Sequence, residues 1–367
     1  MEGPHALLLL TAAAAVIVMV GAATTSLSTQ RDAKFLFASN PIMCQGDKGR
    51  QGACLPYFRC GVFEGEVEGT CQVVGQCCVV QRSCGETSTA RITYFNNEFL
   101  PIEDGHSCSV TITSPTSIAS REICQLHLAF DMVELAEPTA DGACEDQYLE
   151  VKGGSESLKI CGKNKNQTMV VDVEGRDGPF KVSVVTKDGV VTDDSKWQVK
   201  VVQVPCDSDD LAPQGCDQYL TGVTGEVKSY NYDTTASAYE HSAGKSGSRH
   251  LQESYRICVR QEEGYCSLKW TAASDDYAFT ISEDLSVVTP NTAMKVDADC
   301  EFTDHLNIPE ANIEGEDKPT TIFCGSMFPP AVLTTSFQMY VVFNGEELLD
   351  TDIDNRGFYL KYEQIEC

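Results

Sequence analysis

The cysteines constrain this chain most, because their order repeats along the sequence. The chain has 18 cysteines, and the first six lie near the N-terminus. Two longer sets of six follow, and each ends in a similar way: its fifth cysteine precedes glycine, and its sixth closes a segment that opens with an aromatic residue. The sets are Cys84, Cys108, Cys124, Cys144, Cys161 and Cys206, then Cys216, Cys258, Cys266, Cys300, Cys324 and Cys367. This correspondence predicts two copies of one module.

So many cysteines predict disulfide bonds and therefore a secreted, extracellular protein, because disulfides persist outside the reducing cytosol. Residues 6–21 are apolar and lead into Val20-Gly21-Ala22, which is typical of a cleavage site. We therefore expect a signal peptide over residues 1–22 and no membrane span after its removal. An uncleaved anchor is the alternative, but the run is short for a bilayer and lacks Lys or Arg before Arg31. The sequon Asn166-Gln167-Thr168 predicts a glycan at Asn166.

The formal net charge is -27, from 54 acidic and 27 basic residues. Such a surface repels phosphate backbones, so we expect no nucleic-acid partner. It can attract Ca²⁺ or basic proteins, and solubility in an extracellular fluid is the simpler explanation.

The first module, residues 44–78, is too short to bury a core and needs cross-links to hold it. Zinc binding is the competing use of clustered cysteines. The module contains no histidine and no CxxC pair, so disulfides are expected instead.

The longer modules show the period of two that is typical of β-strands. Leu126, Leu128 and Phe130 share one face, with Gln125 and His127 on the other. Short alternating segments separated by Gly-rich turns predict an all-β fold built from two β-sandwiches. No amphipathic helix is expected.

The predicted domains are the disulfide-rich module at 44–78 and the sandwiches at 84–206 and 216–367. Residues 207–215 form a short polar linker. Residues 234–249 are an insertion rich in Ser, Ala and Gly, which we expect to be a mobile loop.

Six cysteines allow about fifteen pairings, and the sequence does not select one. A pairing must, however, work in both copies. Cys124 lies on an apolar strand face, so we expect an inter-sheet bridge in the core, with Cys206 as its candidate partner. The expected pairs are Cys84–Cys108, Cys144–Cys161, Cys124–Cys206, Cys216–Cys258, Cys300–Cys324 and Cys266–Cys367.

Several segments resemble the CUB domain. They are Cys144-Glu-Asp-Gln-Tyr-Leu-Glu-Val151 and Cys161-Gly162 in the first copy, and Asp304-His-Leu-Asn-Ile308, Phe323-Cys324-Gly325 and Gly357-Phe-Tyr-Leu-Lys-Tyr362 in the second. The resemblance implies a jelly-roll β-sandwich for each copy. Gln218-Tyr-Leu-Thr-Gly-Val-Thr-Gly225 is also similar to the tandem CUB-domain secreted proteins of insects and crustaceans.

In those proteins a small cysteine knot ending in Cys-Cys precedes the first CUB domain. Residues 44–78 end in this way and resemble a clip domain. The resemblance implies the pairs Cys44–Cys77, Cys54–Cys71 and Cys60–Cys78.

Many CUB domains bind Ca²⁺ through a glutamate, the aspartate of an Asp-Tyr-Leu motif and an aspartate before the closing strand. Oxygen ligands from separate loops suit this ion. The first copy has Gln147 at the motif position and departs from the pattern. For the second copy the resemblance implies the ligands Glu283, Asp304, Asp350 and Asp354, with a solvated acidic turn as the alternative.

Catalytic motifs are absent from the sequence. A serine-protease Gly-Asp-Ser-Gly-Gly, an HExxH helix and a P-loop are all missing. Each histidine outside the signal peptide is expected to be a solvated surface residue: His106, His127, His241, His250 and His305. We therefore expect no enzyme.

Three functions remain open. The first is a secreted recognition protein that binds an extracellular protein through its sandwiches, and the second is a non-catalytic regulator of a serine-protease cascade that docks through the clip-like module. The third is a carbohydrate or chitin-binding matrix protein. That function would need exposed aromatic side chains, and the clustered candidates are Tyr57, Phe58, Phe63, Tyr230 and Tyr232, which core or loop packing would explain equally.

Overall fold

The computed structural model describes most of the chain beyond the N-terminal leader. The described residues are 42–71, 75–97, 106–114, 122–139, 141–190, 194–232, 249–274, 278–282, 292–344 and 355–367. The expected signal peptide and nearly all of the insertion at 234–249 lie outside them. The described part contains strands and two short 3-10 helices, Cys60–Phe63 and Asp297–Cys300. None of its helices is long and apolar enough to cross a membrane. The predicted all-β fold is confirmed.

The first module is a single antiparallel sheet with the strand order β1-β2-β4-β3. Its strands are β1 (Met43–Gln45), β2 (Gln51–Leu55), β3 (Glu66–Thr70) and β4 (Gln76–Val79). Among the described residues, one group of three side chains has the spacing of metal ligands, namely Cys44, Cys54 and Cys71. All three sulfurs are in disulfide bonds, so this group does not offer thiolates to zinc.

The first sandwich packs two sheets, with strand orders β10-β12-β8-β6 and β11-β9-β13-β7-β5. Its strands are β5 (Gln81–Arg82), β6 (Thr87–Ser88), β7 (Ile92–Asn96), β8 (Cys108–Ile112), β9 (Ile123–Glu134), β10 (Gln147–Lys152), β11 (Gln167–Asp172), β12 (Phe180–Thr186) and β13 (Lys196–Pro205). Leu126, Leu128 and Phe130 face the core, as the alternation predicted.

The second sandwich has the sheets β14-β16-β24-β20-β22-β19 and β15-β25-β17-β23-β21, and β18 pairs with β25. Its strands are β14 (Gln218–Leu220), β15 (Thr224–Lys228), β16 (Tyr255–Val259), β17 (Tyr265–Ala272), β18 (Phe279–Thr280), β19 (Met294–Val296), β20 (His305–Asn307), β21 (Ala311–Ile313), β22 (Ile322–Gly325), β23 (Val332–Thr334), β24 (Gln338–Val342) and β25 (Gly357–Glu366).

The two sandwiches correspond strand by strand at their centres. The β9–β13 pair corresponds to β17–β25, and the neighbours β10–β12–β8 correspond to β20–β24–β16. Each central pair is closed by the longest-range disulfide of its copy, Cys124–Cys206 or Cys266–Cys367. Because β9 and β13 are neighbours in one sheet, the expected inter-sheet geometry of the first bridge is wrong. Antiparallel neighbours bring their opposite ends close enough for a cross-link within the sheet.

The structure contains nine disulfides, and every pair is one that we named from the sequence. The pairs are Cys44–Cys77, Cys54–Cys71, Cys60–Cys78, Cys84–Cys108, Cys124–Cys206, Cys144–Cys161, Cys216–Cys258, Cys266–Cys367 and Cys300–Cys324.

The first module packs against the first sandwich. The backbone N–H of Gln51 donates to the Tyr94 hydroxyl at 2.8 Å, and Lys200 Nζ donates to Gln51 Oε1 at 3.2 Å. An apolar cluster lies beneath these bonds, formed by Val79, Ile92 and Tyr94 with Met43 and Val202. The first module is therefore fixed to the sandwich rather than tethered by a loose chain.

The linker at 207–215 packs along β9. Gln125 Nε2 donates to the carbonyl of Ala212 at 2.9 Å, and Gln125 Oε1 accepts from the Ala212 N–H at 2.9 Å. His127, which the sequence placed on a solvated face, is partly buried beside this contact. Its Nε2 lies 2.9 Å from Gln125 Oε1, and burial lowers its pKa to about 4. The expectation of a solvated His127 is wrong because the linker covers the polar face of the strand.

This buried histidine makes stability depend on pH. The unfolded His127 binds a proton near pH 6.5 and the folded one near pH 4. The unfolded state therefore holds more protons between these values, and stability is lost as the pH falls through that window. At pH ~4.5 the loss is about 2 to 3 kcal/mol relative to neutral pH. Urea unfolding of wild type and His127→Gln at both pH values checks this. A wild-type loss no larger than that of the variant contradicts it.

The two sandwiches share a buried boundary and one continuous apolar core. Tyr230 is fully buried there, and its hydroxyl donates to the Thr168 carbonyl at 2.7 Å. Its ring centroid lies 6.4 Å from that of Phe130. Gln167 Nε2 donates to the Ser229 carbonyl at 2.8 Å.

A second row of hydrogen bonds follows the same boundary. The Asn231 N–H donates to Asn164 Oδ1 at 2.7 Å, and the Lys163 N–H donates to Asn231 Oδ1 at 2.9 Å. The Gln252 N–H donates to the Gly142 carbonyl at 2.9 Å. Such buried and paired polar groups fix the orientation of one sandwich on the other.

Candidate functional site

Exposed apolar side chains gather on the first module. Eight large apolar residues are exposed in the described part of the chain, and five of them lie in residues 42–67. Tyr57, Phe58 and Val62 are the most exposed of all, at 66%, 77% and 70%. They lie within six consecutive residues, on a turn and the 3-10 helix that follows it. We call these three residues the knot patch.

The knot patch is supported by rigid neighbours. Cys60, which lies between its members, is buried and bonded to Cys78. The largely buried Arg82 binds the C-terminal end of the 3-10 helix, where Nη2 donates to the Phe63 carbonyl at 2.6 Å. Its Nε also donates to the Thr87 carbonyl at 2.9 Å. The backbone beneath the patch is therefore held in place, which lowers the entropy cost of binding.

Asp304 lies at the centre of a buried polar cluster in the second sandwich. Its side chain is 1% exposed, and its Oδ2 is 3.8 Å from Arg249 Nη2 and 3.2 Å from His250 Nε2. Its Oδ1 accepts from the Asn344 N–H at 2.8 Å. His250 Nε2 is also 3.1 Å from the Ile281 carbonyl. Because both of its neighbours are acceptors, this nitrogen carries a hydrogen.

These contacts test the calcium site expected here. Glu283, Asp350 and Asp354 lie outside the described residues, so Asp304 is the one predicted ligand that the structure places. Ca²⁺ takes several oxygen ligands at about 2.3 to 2.6 Å. Beside Asp304 the described side chains include the permanently charged Arg249, which repels a second cation. The described residues around Asp304 therefore do not fit a calcium ion.

Gln147 occupies the corresponding position in the first sandwich. Gln147 and Asp304 each lie two residues before a leucine that is completely buried in an equivalent strand, Leu149 in β10 and Leu306 in β20.

Both ends of the Gln147 amide are hydrogen-bonded to neutral partners. Its Nε2 donates to Thr186 Oγ1 at 3.1 Å. Its Oε1 accepts from the Ala136 N–H at 3.1 Å and from Ser195 Oγ at 2.6 Å. This position supplies no carboxylate and has its hydrogen bonds satisfied within the domain.

A serine, a histidine and an aspartate line one small cavity of the second sandwich, namely Ser229, His250 and Asp304. The Ser229 hydroxyl is engaged by the backbone, accepting from the Phe358 N–H at 3.1 Å and donating to the Arg356 carbonyl at 3.4 Å. His250 Nε2 faces Asp304 and the Ile281 carbonyl instead of this hydroxyl. These three residues therefore lack the nucleophile-to-base hydrogen bond of a catalytic triad.

The expectation of solvated histidines fails for His250 as well as His127, because His250 is 5% exposed. His106 is exposed, His305 is partly buried, and His241 lies outside the described residues. Tyr230 and Tyr232 are buried and cannot serve as aromatic platforms.

Residues 213–365 match the family model of the animal CUB domain. This range covers most of the second sandwich, which is therefore a CUB domain. No curated protein matches the chain. Among solved structures, the CUB1-EGF-CUB2 domains of rat MASP-1 are 14% identical, with 78% of this chain and 99% of that chain covered and a TM-score of 0.24. A likeness this low supports no conclusion about how the domains of this chain are arranged.

Proposed function

We propose that this protein is a secreted, non-catalytic interaction protein that binds an extracellular protein through the knot patch. The observation that carries the proposal is the concentration of exposed apolar side chains on the first module. Aromatic residues on a rigid support are typical of interface centres. The sandwiches meanwhile pack against each other through a shared apolar core. The net charge of -27 would favour a basic partner and speed its association.

The proposal extends to the rest of the chain. Nine disulfides and a CUB domain support secretion by way of the leader at 1–22. Asn166 is exposed in a turn beside the domain boundary, which supports a glycan there. The similarity of residues 44–78 to a clip domain favours a role for this protein as a non-catalytic regulator of an extracellular serine-protease cascade. In that case the first module is the docking part.

The knot patch can be tested with a matched control. In the full-length secreted protein, Tyr57→Ser with Phe58→Ser and Val62→Ser is expected to reduce capture of the partner more than ~100-fold, because hot-spot residues carry several kcal/mol of binding energy. The control is Phe302→Ser, which removes a side chain that is 65% exposed on the second sandwich. Quantitative mass spectrometry of proteins captured from extracellular fluid provides the measurement.

The outcomes separate the candidate functions. Equal capture by the patch variant and wild type contradicts the proposal and assigns binding to the sandwich loops. A different result would assign Tyr57 and Phe58 to carbohydrate binding. In that case wild type captures no specific protein and is retained on chitin beads, and the patch variant is not retained.

A further inference from the structure

We infer that Arg249 and His250 take the place of calcium at Asp304, so that this end of the second sandwich is organised without a metal ion. The inference is independent of the knot patch and of any partner. It rests on the distances around one buried carboxylate.

Burial determines the electrostatics of the cluster around Asp304. The side chains of Asp304, Arg249 and His250 are 1%, 7% and 7% exposed. A carboxylate removed from water needs an opposite charge and hydrogen bonds. The guanidinium of Arg249 supplies the charge at 3.8 Å. The Asn344 N–H donates to Asp304 Oδ1 at 2.8 Å, and His250 Nε2 lies 3.2 Å from Oδ2.

Calcium would compete with this arrangement. An ion bound to an Asp304 oxygen at about 2.3 to 2.6 Å would lie close to the guanidinium. Repulsion between two cations is strong where water is excluded. Binding of a metal ion is therefore disfavoured while Arg249 keeps its buried position beside Asp304.

The first sandwich reaches the same result with neutral groups. At the equivalent position, the Gln147 amide accepts from Ser195 Oγ at 2.6 Å and donates to Thr186 Oγ1 at 3.1 Å. Both copies thus fill this position with their own side chains. One uses a buried ion pair and the other an amide network.

Arg249 also lies next to the boundary between the sandwiches. The carbonyl of Arg249 accepts from Asn231 Nδ2 at 2.8 Å, and Asn231 binds Asn164 of the first sandwich at 2.7 Å. Three residues after Arg249, Gln252 binds Gly142 at 2.9 Å. The segment that neutralises Asp304 is therefore the segment on which the first sandwich rests, and the joint between the sandwiches does not depend on calcium.

The first test uses the wild-type protein. Its thermal midpoint, followed by the fluorescence of its two tryptophans, is expected to be the same in EDTA and in ~10 mM CaCl₂. A calcium site of ordinary extracellular affinity would raise the midpoint by roughly 3 to 10 °C under these conditions. A rise of that size in the wild type overturns the inference.

Two variants test the roles of the charged residues. Arg249→Gln removes the guanidinium beside Asp304 and is expected to gain a calcium-dependent rise in the midpoint. A variant that is as insensitive to calcium as wild type overturns the role of Arg249. Asp304→Asn removes the carboxylate that lies 3.8 Å from the buried guanidinium, and its midpoint in EDTA is expected to fall by about 10 °C. If Asp304→Asn matches wild type in EDTA, the ion pair is not structural and the inference fails, even if Arg249→Gln does not fold.

Discussion

Replacement of Cys124 and Cys206 together by serine is expected to lower the unfolding free energy of the first sandwich by about 4 to 5 kcal/mol. The bridge spans 82 residues of sequence, and the conformational freedom returned to the unfolded chain increases with that length. It also joins the beginning of β9 to the end of β13, which form the most extensive strand pair of this sandwich. Its loss leaves that pair to fray from its end.

The chain provides its own fluorescent reporters for this measurement. It contains two tryptophans, and Trp197 and Trp270 are each 1% exposed, one in either sandwich. In a Trp270→Phe background, the fluorescence signal of guanidinium chloride unfolding therefore comes from Trp197 in the first sandwich. Cys144→Ser with Cys161→Ser is the control, because that bridge spans 17 residues and its loss is expected to cost about 3 kcal/mol. An equal or larger loss from the short bridge contradicts the loop-length explanation.

Tyr230→Ala is expected to lower the unfolding free energy by about 3 to 5 kcal/mol and to uncouple the two sandwiches. The ring of Tyr230 fills the boundary next to Phe130, and its centroid lies 5.0 Å from that of Tyr255. Truncation leaves a cavity where the two cores meet, and it removes the hydrogen bond to Thr168. In wild type, unfolding monitored through Trp197 and through Trp270 should coincide, since the shared core makes one cooperative unit.

The matched variant Tyr230→Phe keeps the ring and removes only the hydroxyl. It is expected to lower stability by about 1 to 2 kcal/mol and to leave the two transitions coincident. Fluorescence unfolding in the two single-tryptophan backgrounds supplies both measurements. If the transitions of Tyr230→Ala remain coincident, the boundary does not couple the sandwiches. If Tyr230→Phe lowers the unfolding free energy as much as Tyr230→Ala does, the stabilisation comes from the hydroxyl and not from the packing of the ring.

The strands were predicted from local sequence patterns. Leu126, Leu128 and Phe130 recur at a period of two, and all three are buried. Cysteine order carried the prediction of the repeat, because a cross-link that works in one copy has an equivalent in the other. The strand pairs β9–β13 and β17–β25 show that correspondence in three dimensions.

Alternation does not show what covers the second face of a strand. Gln125 and His127 alternate with core residues, and His127 was predicted to be solvated, yet the linker residue Ala212 lies against Gln125. His250 and Tyr230 are likewise covered by parts of the chain that the local pattern does not indicate. Each is polar or amphipathic in sequence, and each is buried by a segment distant along the chain or by the other sandwich.

The candidate calcium site shows a similar limit. Acidic residues in the right order implied ligands, and the resemblance placed Asp304 among them. A motif specifies which residue stands at a position but not which charge lies beside it in the folded chain. Arg249 is 55 residues earlier in sequence and 3.8 Å away in space.

The sequence by itself determined the β class and the duplicated module, because period-two hydrophobicity and cysteine order are encoded locally. Only the tertiary structure decided which side chains face a partner and which face each other. The knot patch is exposed, Tyr230 is sealed between the sandwiches, and Asp304 is matched by Arg249. The physical reason is that burial and charge pairing depend on contacts between segments far apart in the chain, and no local pattern records those contacts.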